Sequence, residues 1–135
     1  MIKEIKSIDE LNHEIYEICR LAINQERVKT YLNQLIASHN EKLFLYESEK
    51  QILGVLGIKV AKNICEITCI AVKEEHQENN IGSNFIEFLK KNFTTITAET
   101  DNDAVYFYRK NGFEIKSLGE KYIGVERFLC QYSIQ

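Results

Sequence analysis

Three apolar runs follow one another between Lys42 and Val72 with almost no chain between them, and this crowding limits the possible folds more than any other feature. Lys42–Glu47, Ile52–Ala61 and Ile64–Val72 are separated only by Ser48–Gln51 and by Lys62-Asn63. Links this short cannot carry a crossover, so they predict antiparallel neighbours in a meander. The third run is apolar on both faces apart from Glu66 and Thr68, which predicts a central strand.

The flanks are mostly helical in period. Lys3 to Lys6 suits a short first strand, and Ser7-x-x-Glu10 has capping-box spacing, with hydroxyl and carboxylate each positioned to take an orphan amide. Leu11, Ile15, Ile18, Cys19 and Ala22 then share one helical face, and Val28, Tyr31, Leu32, Leu35 and Ile36 share another before Ser38-His39-Asn40 ends it. Beyond the meander, Ile81, Phe85, Phe88 and Leu89 predict a third helix. Thr95–Thr100 is then a strand parallel to the one before, provided the helix is a right-handed crossover. Thr100-x-x-Asp103 resembles a second capping box, Ala104, Phe107 and Tyr108 form the buried face of a fourth helix, and Gly112 suits its left-handed cap. Phe113–Leu118 and Tyr122–Tyr132, joined by a turn at Leu118–Lys121, close the sheet. The predicted order is β-α-α-β-β-β-α-β-α-β-β, a mixed α/β (α+β) fold, and no linker or repeat divides residues 1–135, so they form a single domain.

Composition narrows the function. With 44% apolar and 27% charged residues the chain is a soluble globular type, and its charge of −3 argues against a nucleic-acid partner, which needs a basic face. The apolar run Ile52–Ile58 is far short of the roughly 20 residues of a membrane span, and Met1-Ile2-Lys3-Glu4 lacks a signal-peptide pattern, so the expected location is cytoplasmic with no membrane association. Cys19, Cys65, Cys69 and Cys130 form no Cys-x-x-Cys pair and have no histidine at zinc spacing, so they read as buried thiols, with no metal site. A spacing of four places Cys65 and Cys69 on one face of their strand. The final strand can supply an edge for a homodimer.

Chemistry concentrates where the third strand ends. In Ile70-Ala71-Val72-Lys73-Glu74-Glu75-His76-Gln77-Glu78-Asn79-Asn80-Ile81-Gly82-Ser83, an apolar strand gives way to a polar loop and then to a helix. Unpaired amides at a helix N-terminus carry partial positive charge and attract anions. Gly82 would admit a phosphate close to the backbone, and Asn80 tolerates a left-handed conformation. Taken alone, the same pattern also describes an ordinary strand-to-helix loop.

One helix and one strand later comes Ala98-Glu99-Thr100-Asp101-Asn102-Asp103-Ala104-Val105-Tyr106-Phe107-Tyr108-Arg109-Lys110-Asn111-Gly112-Phe113. Together the two stretches resemble the GCN5-related N-acetyltransferase (GNAT) superfamily. That family has an Arg/Gln-x-x-Gly-x-Gly/Ala loop, here Gln77 to Gly82, and a later helix ending Ala-x-x-x-Tyr-x-x-x-Gly-Phe, here Ala104 through Tyr108 to Gly112-Phe113. The resemblance is strongest over Ile64–Glu114, and Asn80 stands where the family has its first glycine.

The resemblance implies direct transfer of an acetyl group from acetyl-CoA to an amine acceptor, a small molecule or a protein. It implies that Gln77, Glu78, Asn79, Asn80, Ile81, Gly82 and Ser83 hold the coenzyme A diphosphate through backbone amides. Ile70 and Val72 would pair with the pantetheine arm through their backbone, in a gap where the two strands flanking the crossover splay apart. The position at which the family often has a cofactor-contacting asparagine is Asp101, and the contact is assigned to its neighbour Asn102. Tyr108 takes the place of the acid that protonates the departing thiolate. Glu66, a carboxylate inside an apolar strand, is the candidate general base, with Glu99 on the neighbouring strand as the alternative. The N-terminal helices and the closing strands would form the acceptor pocket. A non-catalytic, regulatory acyl-CoA-binding module is the other reading these motifs leave open.

Overall fold

Seven strands make one sheet, visited almost in sequence order. In this computed structural model, which describes residues 1–134, β1 (Ile2–Ile5), β2 (Glu41–Ser48), β3 (Gln51–Ala61) and β4 (Ile64–Val72) form the expected antiparallel meander. Its two hairpins turn on Glu49-Lys50 and Lys62-Asn63, all four with positive φ, as two-residue turns that match the strand twist require. β5 (Thr95–Thr100) runs parallel to β4, and β7 (Val125–Ser133) lies between β5 and the edge strand β6 (Glu114–Tyr122). The order is β1-β2-β3-β4-β5-β7-β6.

The helices divide between the two faces. α1 (His13–Cys19) and α2 (Gln25–Ala37) bury Ile15, Ile18, Leu32 and Leu35 against Leu43, Leu45 and Val55. The crossover helix α3 (Ile81–Asn92) and α4 (Val105–Lys110) cover the opposite face, where Phe85, Ile86 and Leu89 meet Leu56, Ile58 and Ile96. Among the described residues, no helix is long and apolar enough to cross a membrane.

Local expectations are corrected at four places. The Ser7–Glu10 box forms, with the Ser7 amide donating to Glu10 Oε1 at 3.1 Å, but it closes a single 3-10 turn, Ile8–Glu10. α1 starts later, capped by Asn12, whose Oδ1 accepts the Ile15 amide at 3.0 Å, and it ends before Ala22. No box forms at Thr100, because the Asp101 carboxylate instead accepts the Asp103 amide at 3.0 Å, an Asx turn that delays α4 to Val105. Leu118–Lys121 is part of β6: Gly119, at φ +76, accommodates a bulge in the strand, and the chain reverses at Ile123-Gly124.

The fourth correction concerns β4. Cys65 and Ile67 lie in the core beneath α3, whereas Cys69 and Ala71 lie in the core beneath α1 and α2. Side chains alternate along a strand, so residues four apart share a face only if the register is unbroken. Here it breaks: Gly57 of β3 pairs with Cys69 and Ile58 with Ile67, leaving Thr68 as the extra residue of a β-bulge. The bulge inverts the phase of the strand and puts Cys65 and Cys69 on opposite faces.

Candidate active site

The same bulge opens the sheet. β4 and β5 pair only from Ile64 to Glu66, opposite Thr95 to Thr97, and then diverge. Among the described residues, the β4 backbone groups from Ile67 onward that point away from β3 have no partner strand. Tyr31 of α2 reaches across the sheet and places its hydroxyl 2.6 Å from the Thr68 hydroxyl. Gly57 makes this possible, since a Cβ there would collide with the Tyr31 hydroxyl.

Two clefts occupy the gap. The larger, about 540 Å3, runs along Ile70 and Val72 to Gln77, Asn80, Gly82 and Ser83, with Phe107 and Lys110 as its other wall. The smaller, about 380 Å3, is bounded by Thr68, Cys69, Glu99, Asp101 and Arg127. Leu21, Ile70, Asp103, Ala104 and Tyr108 line both, so the two clefts meet at Tyr108.

The α3 N-terminus faces the larger cleft without the side-chain cap that α1 and α2 have. Asn12 and Asn24 cap α1 and α2 with their side chains, whereas Asn80, left-handed at φ +61, makes no side-chain cap. The Asn80 carbonyl accepts the Asn84 amide at 2.9 Å, which leaves the amides of Ile81, Gly82 and Ser83 ahead of the first helical bond. Gln77 donates from Nε2 to the Val72 carbonyl at 3.1 Å and ties the loop to the end of β4. Glu78 and Asn79 are exposed in the 3-10 turn Glu74–Asn79 and do not line the cleft, and the Ile81 side chain is core. Asn102 is exposed and lines neither cleft, while its neighbour Asp103 lines both.

Gly82 lines the larger cleft and also lies beside Phe107. A Cβ there would come within 2.9 Å of the Phe107 ring, so the bare α-carbon lets the α3 loop pack against α4. The glycine brings the two walls of the cleft together.

Tyr108 is positioned by a helix ending. Gly112, at φ +91, sends its amide to the Arg109 carbonyl and the Phe113 amide to the Tyr108 carbonyl, both at 3.1 Å, which is a Schellman closure. The Phe113 ring completes it by packing 5.3 Å from the Tyr108 ring. Tyr108 is buried, and no group among the described residues hydrogen-bonds its hydroxyl. Burial raises its phenol above the ordinary range, so at neutral pH it keeps its proton.

The carboxylates are arranged otherwise than expected. Glu66 is exposed, lies in the paired part of β4 and lines neither cleft, so the outward side of the strand explains its polarity. Glu99 is in the smaller cleft, with Lys121 Nζ at 2.6 Å and Arg127 Nη2 at 3.7 Å. The Lys121 hydrogen bond leads in holding its carboxyl below the usual range. Cys69 is also in this cleft, but the Cys19 thiol at 3.8 Å and burial raise its own thiol well above the ordinary range, which removes it as a nucleophile. No motif in the sequence marks Thr68, Tyr31 or Arg127 for function. An arginine opposite in phase to Phe128, Cys130 and Tyr132 was the available signal for the last.

A family model described as acetyltransferase (GNAT) domain matches residues 10–124. The chain belongs to the GNAT acetyltransferase family. No curated protein matches it by sequence. Several solved structures share the GNAT fold along its whole length. An aminoglycoside 6'-N-acetyltransferase complexed with coenzyme A is 16% identical at a TM-score of 0.82, covering 100% of this chain and 97% of the other. The ribosomal-protein-S18-alanine N-acetyltransferase from Escherichia coli is 17% identical at 0.80, with 100% and 94% covered. A Bacillus subtilis acetyltransferase in complex with CoA is 23% identical at 0.74, with 99% and 98% covered. The GNAT acyl donor is acetyl-CoA, and the larger cleft suits it: free helix amides for a diphosphate at one end, and unpaired strand edge for an amide-containing arm along its length.

Proposed function

We propose that this GNAT chain transfers an acetyl group from acetyl-CoA directly to an amine, with donor in the larger cleft and acceptor in the smaller. The observation that carries this reading is the uncapped α3 N-terminus opening into the same cleft as the unpaired edge of β4. The amides of Ile81, Gly82 and Ser83 receive the diphosphate, Gln77 and Asn80 shape the loop that presents them, and Lys110 adds a cation at the rim. Glu78 and Asn79 serve through the backbone of the preceding turn, and Asp103 takes the place assigned to Asn102. Ile70 and Val72 pair with the pantetheine arm through their backbone.

Bound acetyl-CoA supplies an activated thioester. An unpaired β4 N–H beside the bulge donates to the thioester oxygen as charge develops there. Glu99, ionised and held low by Lys121, is a weak proton acceptor, so the acceptor's ammonium loses its first proton to water in the cleft. The neutral nitrogen then bonds to the acyl carbon as the carbon–sulfur bond breaks. Tyr108 donates its proton to the departing sulfur and recovers one, through water, from the newly acylated nitrogen.

The test pairs two measurements: the shift in melting temperature with CoA, and thiol release from acetyl-CoA across a panel of amines. Stabilisation together with release supports transfer. Stabilisation without release on any amine assigns the chain to the binding-module reading, and absence of stabilisation at millimolar CoA overturns the site.

A further inference from the structure

The smaller cleft carries a cation that the reaction does not use. Arg127 projects from β7 into this cleft, and its side chain is 23% exposed. Among the described residues its buried Nε has no hydrogen-bond partner. Its nearest acid is Glu99 at 3.7 Å, and Glu99 already holds Lys121 at 2.6 Å. Two positive charges therefore share one carboxylate, a local surplus of positive charge. A buried Nε–H without a partner is unfavourable unless a ligand completes it, and the planar fork of the guanidinium matches a carboxylate.

The rest of the cleft has the opposite sign. Asp101 and Asp103 line it beside Ala104 and Tyr108, at the junction with the donor cleft. A ligand with its ammonium among these acids and its carboxylate at Arg127 would satisfy both poles. A polyamine would leave Arg127 unpaired, and a simple anion would face the aspartates.

We infer that the acceptor is a zwitterionic amine of amino-acid type, its carboxylate received by Arg127. The inference rests on the acetyl-transfer reading of the same site, and deepens it from an amine to an amine that bears a carboxylate. A cleft of about 380 Å3 is of small-molecule size.

The experiment compares wild type, Arg127→Gln and Arg127→Lys. It measures thiol release from acetyl-CoA with the common amino acids and their carboxamides, and the melting shift each causes in CoA-saturated protein. Wild type is expected to favour at least one free amino acid over its carboxamide. Arg127→Gln should lower kcat/KM for that acid by about 10- to 100-fold, the range for losing a hydrogen bond to a charged group. It should leave the carboxamide within about twofold and the melting temperature near wild type, since Glu99, the acid beside Arg127, keeps its shorter contact with Lys121. Arg127→Lys, retaining charge without the fork, should fall between. Preference for the carboxamide, an equal loss on both, or neither release nor a melting shift with any amino acid overturns the inference. Release with other amines in that case leaves acetyl transfer standing, whereas failure of CoA itself to stabilise the protein removes the underlying reading.

Discussion

The Tyr31 hydroxyl lies 2.6 Å from the Thr68 hydroxyl, and this contact joins a helix on one face of the sheet to the residue that breaks the register of β4. Tyr31 occupies the space left by the missing side chain of Gly57. Gly57→Ala should therefore expel the Tyr31 hydroxyl and destabilise the fold by about 1–3 kcal/mol, the usual range for overpacking. In a Tyr31→Phe background the same change should cost less, because the colliding oxygen is gone. Urea denaturation of the single and double variants measures the coupling, and additive effects would show that Gly57 and Tyr31 act independently.

Gly82 and Phe107 form the second testable pair. Gly82→Ala drives a Cβ toward the Phe107 ring and should weaken CoA binding by spreading the cleft walls. Phe107→Leu in the same chain should recover much of the affinity. Calorimetric titration with CoA decides it: no recovery would mean that the glycine matters for direct approach of the ligand.

Tyr108→Phe should leave CoA binding intact and reduce turnover by roughly 10²-fold or more, the lower range for general acid catalysis. Because burial raises the Tyr108 phenol, wild-type activity should show no loss from its ionisation below about pH 10, the ordinary tyrosine value. Unchanged turnover in the variant across a pH series would take Tyr108 out of the mechanism.

Glu99 links the smaller cleft to acid stability. Its folded carboxyl is lowered, chiefly by the Lys121 hydrogen bond, relative to its value in the unfolded chain. The group therefore contributes stability above the unfolded carboxylate range, and loses it as pH falls through the folded value. Both partners are more than a third exposed, so solvent screening keeps the contribution small. Lys121→Met should flatten the fall in melting temperature between about pH 5 and about pH 3. A fall as steep as that of wild type would show that the pair does not stabilise the fold.

Most elements were legible in the chain because their signals are local. The tight turns at Glu49-Lys50 and Lys62-Asn63, the helical period from Ile81 to Leu89 and the glycine at 112 depend on neighbours a few residues away. So does the loop at Asn80, where a left-handed residue precedes a helix without a side-chain cap. Tyr108 is marked in the sequence by the family motif that runs on to Gly112-Phe113, and the Schellman closure at its end is a local feature of the same kind.

Glu66, Cys69 and Arg127 obeyed other rules. Glu66 reads as a costly carboxylate in an apolar strand until the sheet places it outward, and Cys69 appears to share a face with Cys65 until the bulge inverts the strand. Arg127 gains its meaning only when β7 pairs with β5 and brings it beside Glu99. Period, turn chemistry and helix ends are written in short windows of sequence. The break in β4 depends on Gly57 and Tyr31, distant in the chain, packing at Thr68, so the opening of the sheet and the charges that line it emerge only on folding.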